Sequence, residues 1–291
     1  MKFIPLLLLI FASSLVNAQQ EINIQGSREI GFITYLINSQ QDDEAIYHIN
    51  QLQRYRYSSP GLLDSICYLK AKAFYNLRQL DSSACWFLKV TAQSAYYQSA
   101  LFFASADYIF LKQPVKANEI LSRIPITDSL AIQALNLQYA GLCLLDHNYE
   151  GYKRYSLNFG HSNYAIADEE IVLDDCYKSM KSDKHKSMFL AGSLSALVPG
   201  LGKIYAGKTG EGISSFLLVS FLAAITVENY IKAGPKNFKT IGFGSLFTIF
   251  YLGNIYGSVV SIKVSKEELY RKYDNTIQLH IHIPLRNIYG K

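Results

Sequence analysis

The chain has few residues of the kinds that hold metal ions or carry redox chemistry. Its cysteines are Cys67, Cys85, Cys143 and Cys176, and none of them belongs to a C-x-x-C pair. This spacing gives no support to zinc or thioredoxin-like chemistry. An even number of cysteines permits disulfides in an oxidising compartment. The first three lie among apolar neighbours, where a thiol acts as a small hydrophobic side chain, so buried free thiols are favoured.

Charged residues are also scarce, at 18% of the 291 residues, whereas 49% are hydrophobic and the net charge is +5. So low a charged fraction is typical of a chain that exposes part of its surface to lipid. The positive excess is concentrated in Lys178–Lys186 and around the apolar segments that follow. This placement favours contact with lipid head groups, and we expect no nucleic-acid partner.

The sequence shows no Ser-His-Asp, Cys-His or paired-carboxylate arrangement typical of a catalytic site. His280 and His282 alternate with apolar residues from Ile277 to Ile283, which predicts a short strand with both imidazoles on one face. Two histidines at this spacing can begin a metal site, but no third ligand is evident, so a polar strand face is favoured. We therefore expect no metal, no cofactor and no enzymatic activity.

The N-terminus has the parts of an export signal. Lys2 is basic, Phe3 to Phe11 is an almost unbroken apolar run, and Val16 and Ala18 are the small residues that signal peptidase recognises. The run is about half as long as the ~20 residues that a membrane-spanning helix needs. These features predict a cleaved signal peptide over residues 1–18 and a mature chain that begins at Gln19 outside the cytoplasm.

Residues 19–182 have the pattern of paired helices. Apolar residues recur at helical spacing, and short polar or Pro/Gly breaks separate the segments. Superposition of the segments shows a loose repeat, in which Asp81–Ala84 corresponds to Pro114–Ala117 after 33 residues and to Tyr149–Tyr152 after a further 35. The pattern predicts an all-α fold for this part of the chain.

Each copy has a small residue in its first helix, a turn, and a small or aromatic residue entering its second helix, and this order resembles the tetratricopeptide repeat. Tyr152 stands where that family has alanine, and the Gly-Tyr turn and terminal proline are present only in fragments. The resemblance covers about half the chain and implies an array whose concave groove binds a protein partner. Candidate groove residues are Tyr97, Phe103 and Tyr108. The alternatives are an irregular helical bundle and a core position for these aromatic side chains.

Two uncharged segments predict a membrane module over residues 187–262. Gly212 to Val227 has 16 residues without a charge and Thr240 to Ile262 has 23. The second can cross a hydrocarbon layer of about 30 Å, and the first can do so with a short extension. The connecting stretch, residues 232–239, contains three lysines, which favours a cytoplasmic turn.

The apolar segment Met188–Leu201 precedes these spans and is interrupted by Pro199 and Gly200. An interfacial or re-entrant helix is favoured over a third crossing, because the interruption breaks backbone hydrogen bonding. A third crossing would place the C-terminus in the cytoplasm, whereas two crossings place both ends of the mature chain outside. The number of crossings stays open at this point.

A glycine-rich motif, P-G-x-G-x-x-Y-x-G, is formed by Pro199, Gly200, Gly202, Tyr205 and Gly207. It resembles two-helix hairpins of uncharacterised bacterial membrane proteins, which are found beside other domains, including tetratricopeptide-like ones. Its glycines allow close packing of the backbone. Gly253 and Gly257 likewise offer a small-residue face to a helix of this or another membrane protein, and Asn254 is expected to hydrogen-bond across helices.

Residues 202–209 also match the nucleotide-binding motif G-x-x-x-x-G-K-[ST]. In a nucleotide-binding protein the backbone amides bind phosphates, Lys208 pairs with them and Thr209 holds magnesium, in a loop between a strand and a helix. Here Pro199 and Gly200 precede the motif, a lipid-compatible segment follows it, and no set of strands is predicted. We expect the match to reflect packing and not nucleotide binding.

Taken together, these features predict a non-enzymatic, membrane-anchored adaptor or scaffold of the bacterial cell envelope. We expect it in the inner membrane, with the repeats on the periplasmic side and residues 263–291 forming a tail that contains the short strand. Its expected partners are a protein bound by the repeats, membrane lipid and a helix of another membrane protein. Two alternatives stay open: an accessory subunit of a membrane transport or insertion assembly, and a nucleotide-dependent enzyme that uses Gly202–Thr209.

Overall fold

A computed structural model of the chain describes residues 26–52, 60–126, 128–182 and 186–290. The predicted signal peptide, residues 1–18, lies outside the described residues. Within the described ranges the protein consists of helices and turns, without strands, which confirms the prediction of an all-α fold. The chain divides into two compact units. The first contains the chain up to Tyr177 together with Ile277–Lys291, and the second contains Lys178–Thr276.

The first unit begins with four successive helix–turn–helix pairs. The pairs are α1 (26–38) with α2 (Asp42–Leu52), α3 (Pro60–Asn76) with α4 (Leu80–Phe87), α5 (Tyr97–Phe110) with α6 (Pro114–Ser122), and α7 (Ser129–Leu145) with α8 (Tyr149–Ser156). A further helix, α9 (Ala167–Ser182), follows the fourth pair. From α2 to α8, each helix packs against the next one along the chain.

The same turn joins the two helices of every pair. A residue with a left-handed backbone follows the first helix, and these residues are Gln40, Arg78, Lys112 and His147, at intervals of 38, 34 and 35 residues. In the third pair, for example, the Lys112 N–H donates to the Ile109 carbonyl at 3.0 Å and the Gln113 N–H donates to the Tyr108 carbonyl at 2.9 Å. The turn therefore satisfies carbonyl groups that have no partner inside the first helix.

Two positions of each pair are buried almost completely. Seven residues before the left-handed residue lie Ile33, Ala71, Ser105 and Ala140, and five residues after it lie Ala45, Ser83, Ala117 and Tyr152. Alanine or serine at most of these positions lets the two helices approach closely, since protein interiors leave little unfilled space. The turns align Ser83 with Ala117, one residue away from the correspondence of Ala84 with Ala117 that the sequence pattern indicated.

The second unit contains two long apolar helices and a broken one. The broken helix consists of α10 (Met188–Leu197) and α11 (Leu201–Tyr205), with residues 198–200 between them. Helix α12 (Thr209–Ala233) and the apolar part of α13 (Phe238–Tyr289) contain the two predicted spans. Both are long and apolar enough to cross a membrane. Helix α10 packs on α11, and α11 packs on α12.

The prediction of a short strand in the C-terminal tail is wrong, because α13 is helical through to Tyr289. Residues 277–291 of the tail belong to the first unit. Ile277, Ile281 and Leu285 are completely buried, whereas Leu279 is half exposed. A spacing of four residues places the buried side chains on one face of a helix. The alternation of apolar and polar residues from Ile277 to Ile283 also contains apolar residues that are four positions apart. It is therefore compatible with a helix, and packing within the first unit favours the helix over the strand.

Candidate functional site

The first helices of three pairs hold the C-terminal part of α13. Residues 277–290, called the tail segment below, contact side chains from α3, α5 and α7, and the surface that these side chains form is called the tail groove. Its residues are Tyr68, Lys72, Tyr75, Phe102, Phe110, Gln138 and Gly141. The tail groove is therefore a binding surface for a helix.

The centre of the tail segment lies in a notch at a glycine. The Ile281 side chain comes so close to Gly141 that a Cβ atom at Gly141 would overlap it. The Gln138 side-chain amide donates a hydrogen bond to the Ile281 carbonyl. Pro284 lies inside the helix and has no N–H to donate to the His280 carbonyl. The tail groove thus contacts both the branched side chain and the backbone carbonyl of Ile281.

His282 lies between two aromatic side chains of the groove. The centre of its ring is 5.4 Å from the ring centre of Tyr75 and 5.4 Å from that of Phe110, and its Nε2 atom shares a hydrogen bond with the Tyr75 hydroxyl. Burial lowers the pKa of His282 to about 4, and the positive charge of Arg286 acts in the same direction. Burial also raises the pKa of Tyr75 to about 12. Both groups are therefore neutral near pH 7.

The end of the tail segment is held through its backbone carbonyls. The Lys72 ammonium donates to the Gly290 carbonyl at 2.9 Å, and the Tyr68 hydroxyl donates to the Tyr289 carbonyl at 3.3 Å. The last carbonyls of a helix have no donor within it, and a cation near them is stabilised by the helix dipole. The Tyr289 ring also stacks on Phe102, with 5.0 Å between ring centres.

Several buried polar atoms at or near the tail groove have no hydrogen-bond partner within the described residues. They are Gln138 Oε1, His280 Nδ1, the Ser83 hydroxyl and both carboxylate oxygens of Asp107. Burial raises the pKa of Asp107 to about 7. Buried polar groups are usually paired, and each unpaired one costs about 1–3 kcal/mol. The tail segment and its groove are thus well matched in shape but incompletely matched in polarity.

The three aromatic residues predicted to line a partner groove do not share one surface. Phe103 is buried between Tyr75 and Phe87, with ring centres 5.4 and 5.5 Å away. Tyr97 and Tyr108 are half-buried and lie on one face of α5, because a spacing of eleven residues is close to three helical turns. Phe103 lies on a different face of that helix and is a core residue.

Sequence reasoning missed the residues that do contact the tail segment. A signal was available in α7, where Gln138 and Gly141 lie among its buried residues. A glutamine and a glycine are poor core fillers, so their presence indicates a specific contact. Tyr68 and Tyr75 on α3 have no comparable signal, since tyrosine is common throughout this chain.

In the second unit, the glycine motif forms a tight turn between α10 and α11. Gly200 has a left-handed backbone with φ of 87°, and a Cβ atom at this position would overlap the carbonyl oxygen of Gly212. A Cβ atom at Gly202 would overlap the carbonyl oxygen of Ala191. These positions therefore require glycine, because backbone atoms of two helices meet there.

Other motif residues complete this turn. Pro199 lies in the break between α10 and α11, and Gly207 has a left-handed backbone after α11. The Tyr205 hydroxyl accepts a hydrogen bond from the Ser187 N–H at 3.2 Å. The motif thus closes the loop that the chain makes from the start of α10 to the end of α11.

Buried polar side chains from α10 and α13 bind the turn. Asn254 Oδ1 accepts from the Gly200 N–H at 3.1 Å, and Ser195 Oγ accepts from the Gly202 N–H at 2.9 Å. The hydroxyls of Ser195 and Ser258 are 2.6 Å apart and share a hydrogen bond. Asn254 therefore bonds across helices, as its position in an apolar segment predicted.

Of the two glycines predicted to form a packing face on α13, only Gly257 has a neighbour within the described part of the chain. A Cβ atom at Gly257 would lie 3.4 Å from Cε of Lys203, whereas one at Gly253 would meet nothing within 4 Å. Lys203 in turn donates a hydrogen bond to the Ser215 hydroxyl at 2.9 Å. Gly253 thus leaves an open place on the helix surface.

The nucleotide-binding motif, residues 202–209, contains α11 and the turn before α12. Its backbone amides already have acceptors: Gly202 donates to Ser195, Ala206 to the Gly202 carbonyl, and Lys208 to the Lys203 carbonyl. The Lys208 ammonium lies 3.7 Å from the Glu211 carboxylate. A phosphate-binding loop presents free amides after a strand, and this segment has neither feature.

The cysteines and histidines form no metal site within the described ranges, where no group of three or more His, Cys, Asp or Glu side chains is placed to hold an ion. All four cysteines are free thiols. Cys176 is buried and Cys67 and Cys143 are half-buried, but Cys85 is exposed, so the prediction of burial is wrong for Cys85. Burial raises the pKa of the Cys67, Cys143 and Cys176 thiols.

Comparison with known proteins adds no relative, because no protein-family model, curated protein or solved structure matches this chain. Function must therefore be inferred from the tail groove and the glycine turn themselves.

Proposed function

We propose that the protein is a membrane-anchored adaptor of the bacterial cell envelope, whose first unit binds a helix of a partner protein and whose second unit lies in the membrane. One observation carries this proposal. Helices α3, α5 and α7 hold a helical segment at three levels, through the Gly141 notch, the His282 site and the carbonyls of Tyr289 and Gly290. A surface that holds a helix in this way is typical of a binding module.

The repeated turns support a tetratricopeptide-like interpretation of the first unit. Four pairs with the same left-handed turn and the same two buried positions are what a stack of similar repeats requires. Such stacks carry binding surfaces on their inner helices, and the tail groove lies on the first helices of three pairs. An irregular helical bundle has no reason to repeat the turn.

The surface of the second unit supports a place in the membrane. Phe189, Phe238 and Ile249 are among its most exposed side chains, whereas Ser195 and Asn254 are buried. In water this arrangement exposes apolar surface without compensation, whereas in lipid it satisfies the backbone and polar groups internally. The second unit therefore suits a bilayer better than an aqueous compartment.

The division of the chain into units supports two crossings. Residues before Tyr177 and residues after Ile277 belong to one unit, so both must lie on the same side of the membrane. The chain between them must then cross an even number of times, which α12 and α13 provide. An export signal places the first unit outside, and the lysines at 232, 236 and 239 stay in the cytoplasm. This arrangement corresponds to the inner membrane with a periplasmic repeat unit.

An accessory role in a membrane transport or insertion assembly is the second candidate, and one observation favours it. Leu246, Phe250, Gly253 and Gly257 recur at spacings of four, three and four residues along α13, which places them on one face, and the first two are exposed. A face of this kind fits a helix of another membrane protein, since Gly253 has open space beside it.

The adaptor function is tested by site-specific photo-cross-linking in cells. A photoreactive amino acid at Tyr96, which stacks on Tyr68 of the groove, is expected to cross-link one defined protein. The same amino acid at Tyr164, which is 95% exposed, serves as the control. Identical products at the two positions, or none at Tyr96, would contradict the proposal. A photoreactive residue at Gly253 tests the second candidate in the same cells.

Topology is tested in a variant without the four native cysteines. A cysteine at Tyr164 and one at Leu279 are expected to react with a membrane-impermeant reagent from outside, because both side chains are exposed and both belong to the first unit. A cysteine at Asn237 is expected to react only after permeabilisation. Protection of position 279 together with labelling of position 237 from outside would indicate three crossings.

A further inference from the structure

Building on the proposed adaptor function, we propose that the tail segment is a built-in ligand of the helix-binding site and that a partner helix displaces it. The occupant that this site takes in place of the tail is an amphipathic helix with branched apolar side chains at positions i, i+4 and i+8. The protein thus regulates its own binding surface.

The pattern of the displacing helix follows from the tail segment itself. Ile277, Ile281 and Leu285 are the tail side chains that are completely buried, and they recur every four residues. The Gly141 notch accepts the branched side chain of Ile281. A partner helix that takes the place of the tail segment presents apolar side chains at the same three positions.

The polar contacts explain why the tail segment can be displaced. Gln138 Oε1 and His280 Nδ1 are buried without a hydrogen-bond partner, which is unfavourable for a permanent core element. His282 loses its charge when it is buried in the groove. A partner helix that brings a hydrogen-bond donor to Gln138 and no histidine to the aromatic site avoids the unpaired oxygen and the buried imidazole. Such a helix therefore binds the groove more tightly than the tail segment does.

The helical pairs contact one another directly as well as through the tail segment. Each helix from α2 to α8 contacts the next along the chain, and the two buried positions of every pair are filled by residues of that pair. Departure of the tail therefore uncovers the groove without opening the pairs. The apparent affinity for a partner then depends on the fraction of molecules in which the groove is free.

The experiment uses the full chain in lipid nanodiscs and a fluorescent peptide that copies residues 275–290. The variant Ile281→Asp places a carboxylate in the Gly141 notch and releases the tail. The matched control, Leu279→Asp, changes a half-exposed position of the same helix. We expect the Ile281→Asp chain to bind the peptide at least tenfold more tightly than the wild-type and Leu279→Asp chains do. A peptide that carries Ile281→Asp itself is expected not to bind.

Equal binding of the peptide by all three chains would overturn the proposal. Loss of helical circular dichroism in the Ile281→Asp chain well beyond the share of the tail segment would also overturn it, because the tail would then be a permanent part of the core. The double variant Gly141→Val with Ile281→Asp fills the notch from the groove side and is expected to lose peptide binding. Undiminished binding by that variant would show that the peptide binds elsewhere.

The built-in ligand and the adaptor function are separate proposals, and either can fail without the other. If Tyr96 cross-links a partner but the Ile281→Asp chain does not gain peptide affinity, the adaptor function stands and the built-in ligand does not. If the peptide binds as expected but no cross-linked partner is found, the groove is a regulated helix-binding site and the adaptor function is wrong.

Discussion

The two units of this protein expose different amounts of apolar surface. In the first unit Phe87, Phe102 and Leu137 are completely buried, whereas in the second unit Phe189 and Phe238 are more than 80% exposed. Both units bury apolar and polar side chains alike. Both units are helical, so the difference lies in the exposed surface, which in the second unit is compatible with lipid.

The same difference changes what holds each unit together. Burial of apolar surface stabilises the first unit by about 25 cal/mol for every Å² removed from water. That force is absent between helices surrounded by lipid, where close backbone packing and hydrogen bonds take its place. The Gly202 contact with Ala191 and the Ser195–Ser258 hydrogen bond are therefore the counterparts of the apolar core.

The largest expected effect tests the packing of the second unit. Gly202→Val should destabilise the glycine turn by about 3 kcal/mol or more, because its side chain would overlap the Ala191 carbonyl and overpacked backbone cannot relax. Thermal unfolding in detergent micelles and limited proteolysis report the change. Gly242→Val is the control, since a Cβ atom there has open space. If both variants are equally stable, the second unit is not held by close backbone contact.

A smaller effect is expected at the tail segment of the first unit. Ile281→Ala should lower the free energy of opening of the tail by about 2–4 kcal/mol, as for other buried aliphatic side chains. Leu279→Ala should change it by less than about 0.5 kcal/mol, because that side chain is half exposed. Native-state hydrogen exchange of residues 277–290 measures both. Similar values for the two variants would mean that the face defined by Ile277, Ile281 and Leu285 does not hold the tail.

The pH dependence of the first unit separates two of its buried titratable groups, Asp107 and His282. The native state keeps the Asp107 proton to about pH 7, whereas the unfolded chain releases it near the ordinary aspartate pKa of 3.8. Stability from Asp107 therefore falls as the pH rises through that window. The native state loses the His282 proton at about pH 4 and the unfolded chain at about 6.5, so stability from His282 rises with pH between these values.

The two contributions oppose each other below about pH 6.5, and single variants reveal them. Asp107→Asn should leave a stability that rises from pH 4 to 6.5, with a slope of at most ~1.4 kcal/mol per pH unit from His282. His282→Gln should leave a stability that falls between pH 4 and 7. Chemical denaturation of the full chain across this range measures the slopes. Parallel curves for the two variants would contradict the assigned burial of both groups.

The smallest expected effect concerns the nucleotide-binding motif. Lys208→Ala should leave the stability of the second unit unchanged within about 0.5 kcal/mol, because its pairing with Glu211 is partly exposed to solvent. It should also leave any binding of labelled ATP unchanged, which fluorescence anisotropy measures. Magnesium-dependent ATP binding that disappears in this variant would restore the enzymatic alternative.

Local pattern was sufficient for much of the fold but not for the repeated turn. The helices of residues 60–156 and the two apolar helices follow from hydrophobic spacing within short windows. The left-handed residues Arg78, Lys112 and His147 carry no such mark, since glycine or asparagine is the usual signal for this backbone conformation. The turns were therefore placed only approximately, and Ser83 was missed as the counterpart of Ala117.

The candidate functional residues also divide into those that the local sequence pattern identified and those that it did not. Pro199, Gly200 and Gly202 could be recognised from the motif alone, because a proline and glycines close together have few structural explanations. Phe103 was a candidate for either a partner surface or the core, and only its neighbours Tyr75 and Phe87 on other helices place it in the core. Aromatic residues look alike in a sequence whether they line a groove or fill a core.

By itself, the sequence determined that the chain is helical, that two segments suit a membrane and that glycines close a turn beside them. Each of these depends on residues near one another in the chain. Only the tertiary structure decided that Ile277–Leu285 is helical, that it lies against Gln138 and Gly141, and that Asn254 binds the turn at Gly200. These pairs are 50 to 150 residues apart, and an alternating or apolar pattern specifies a face without specifying what it packs against.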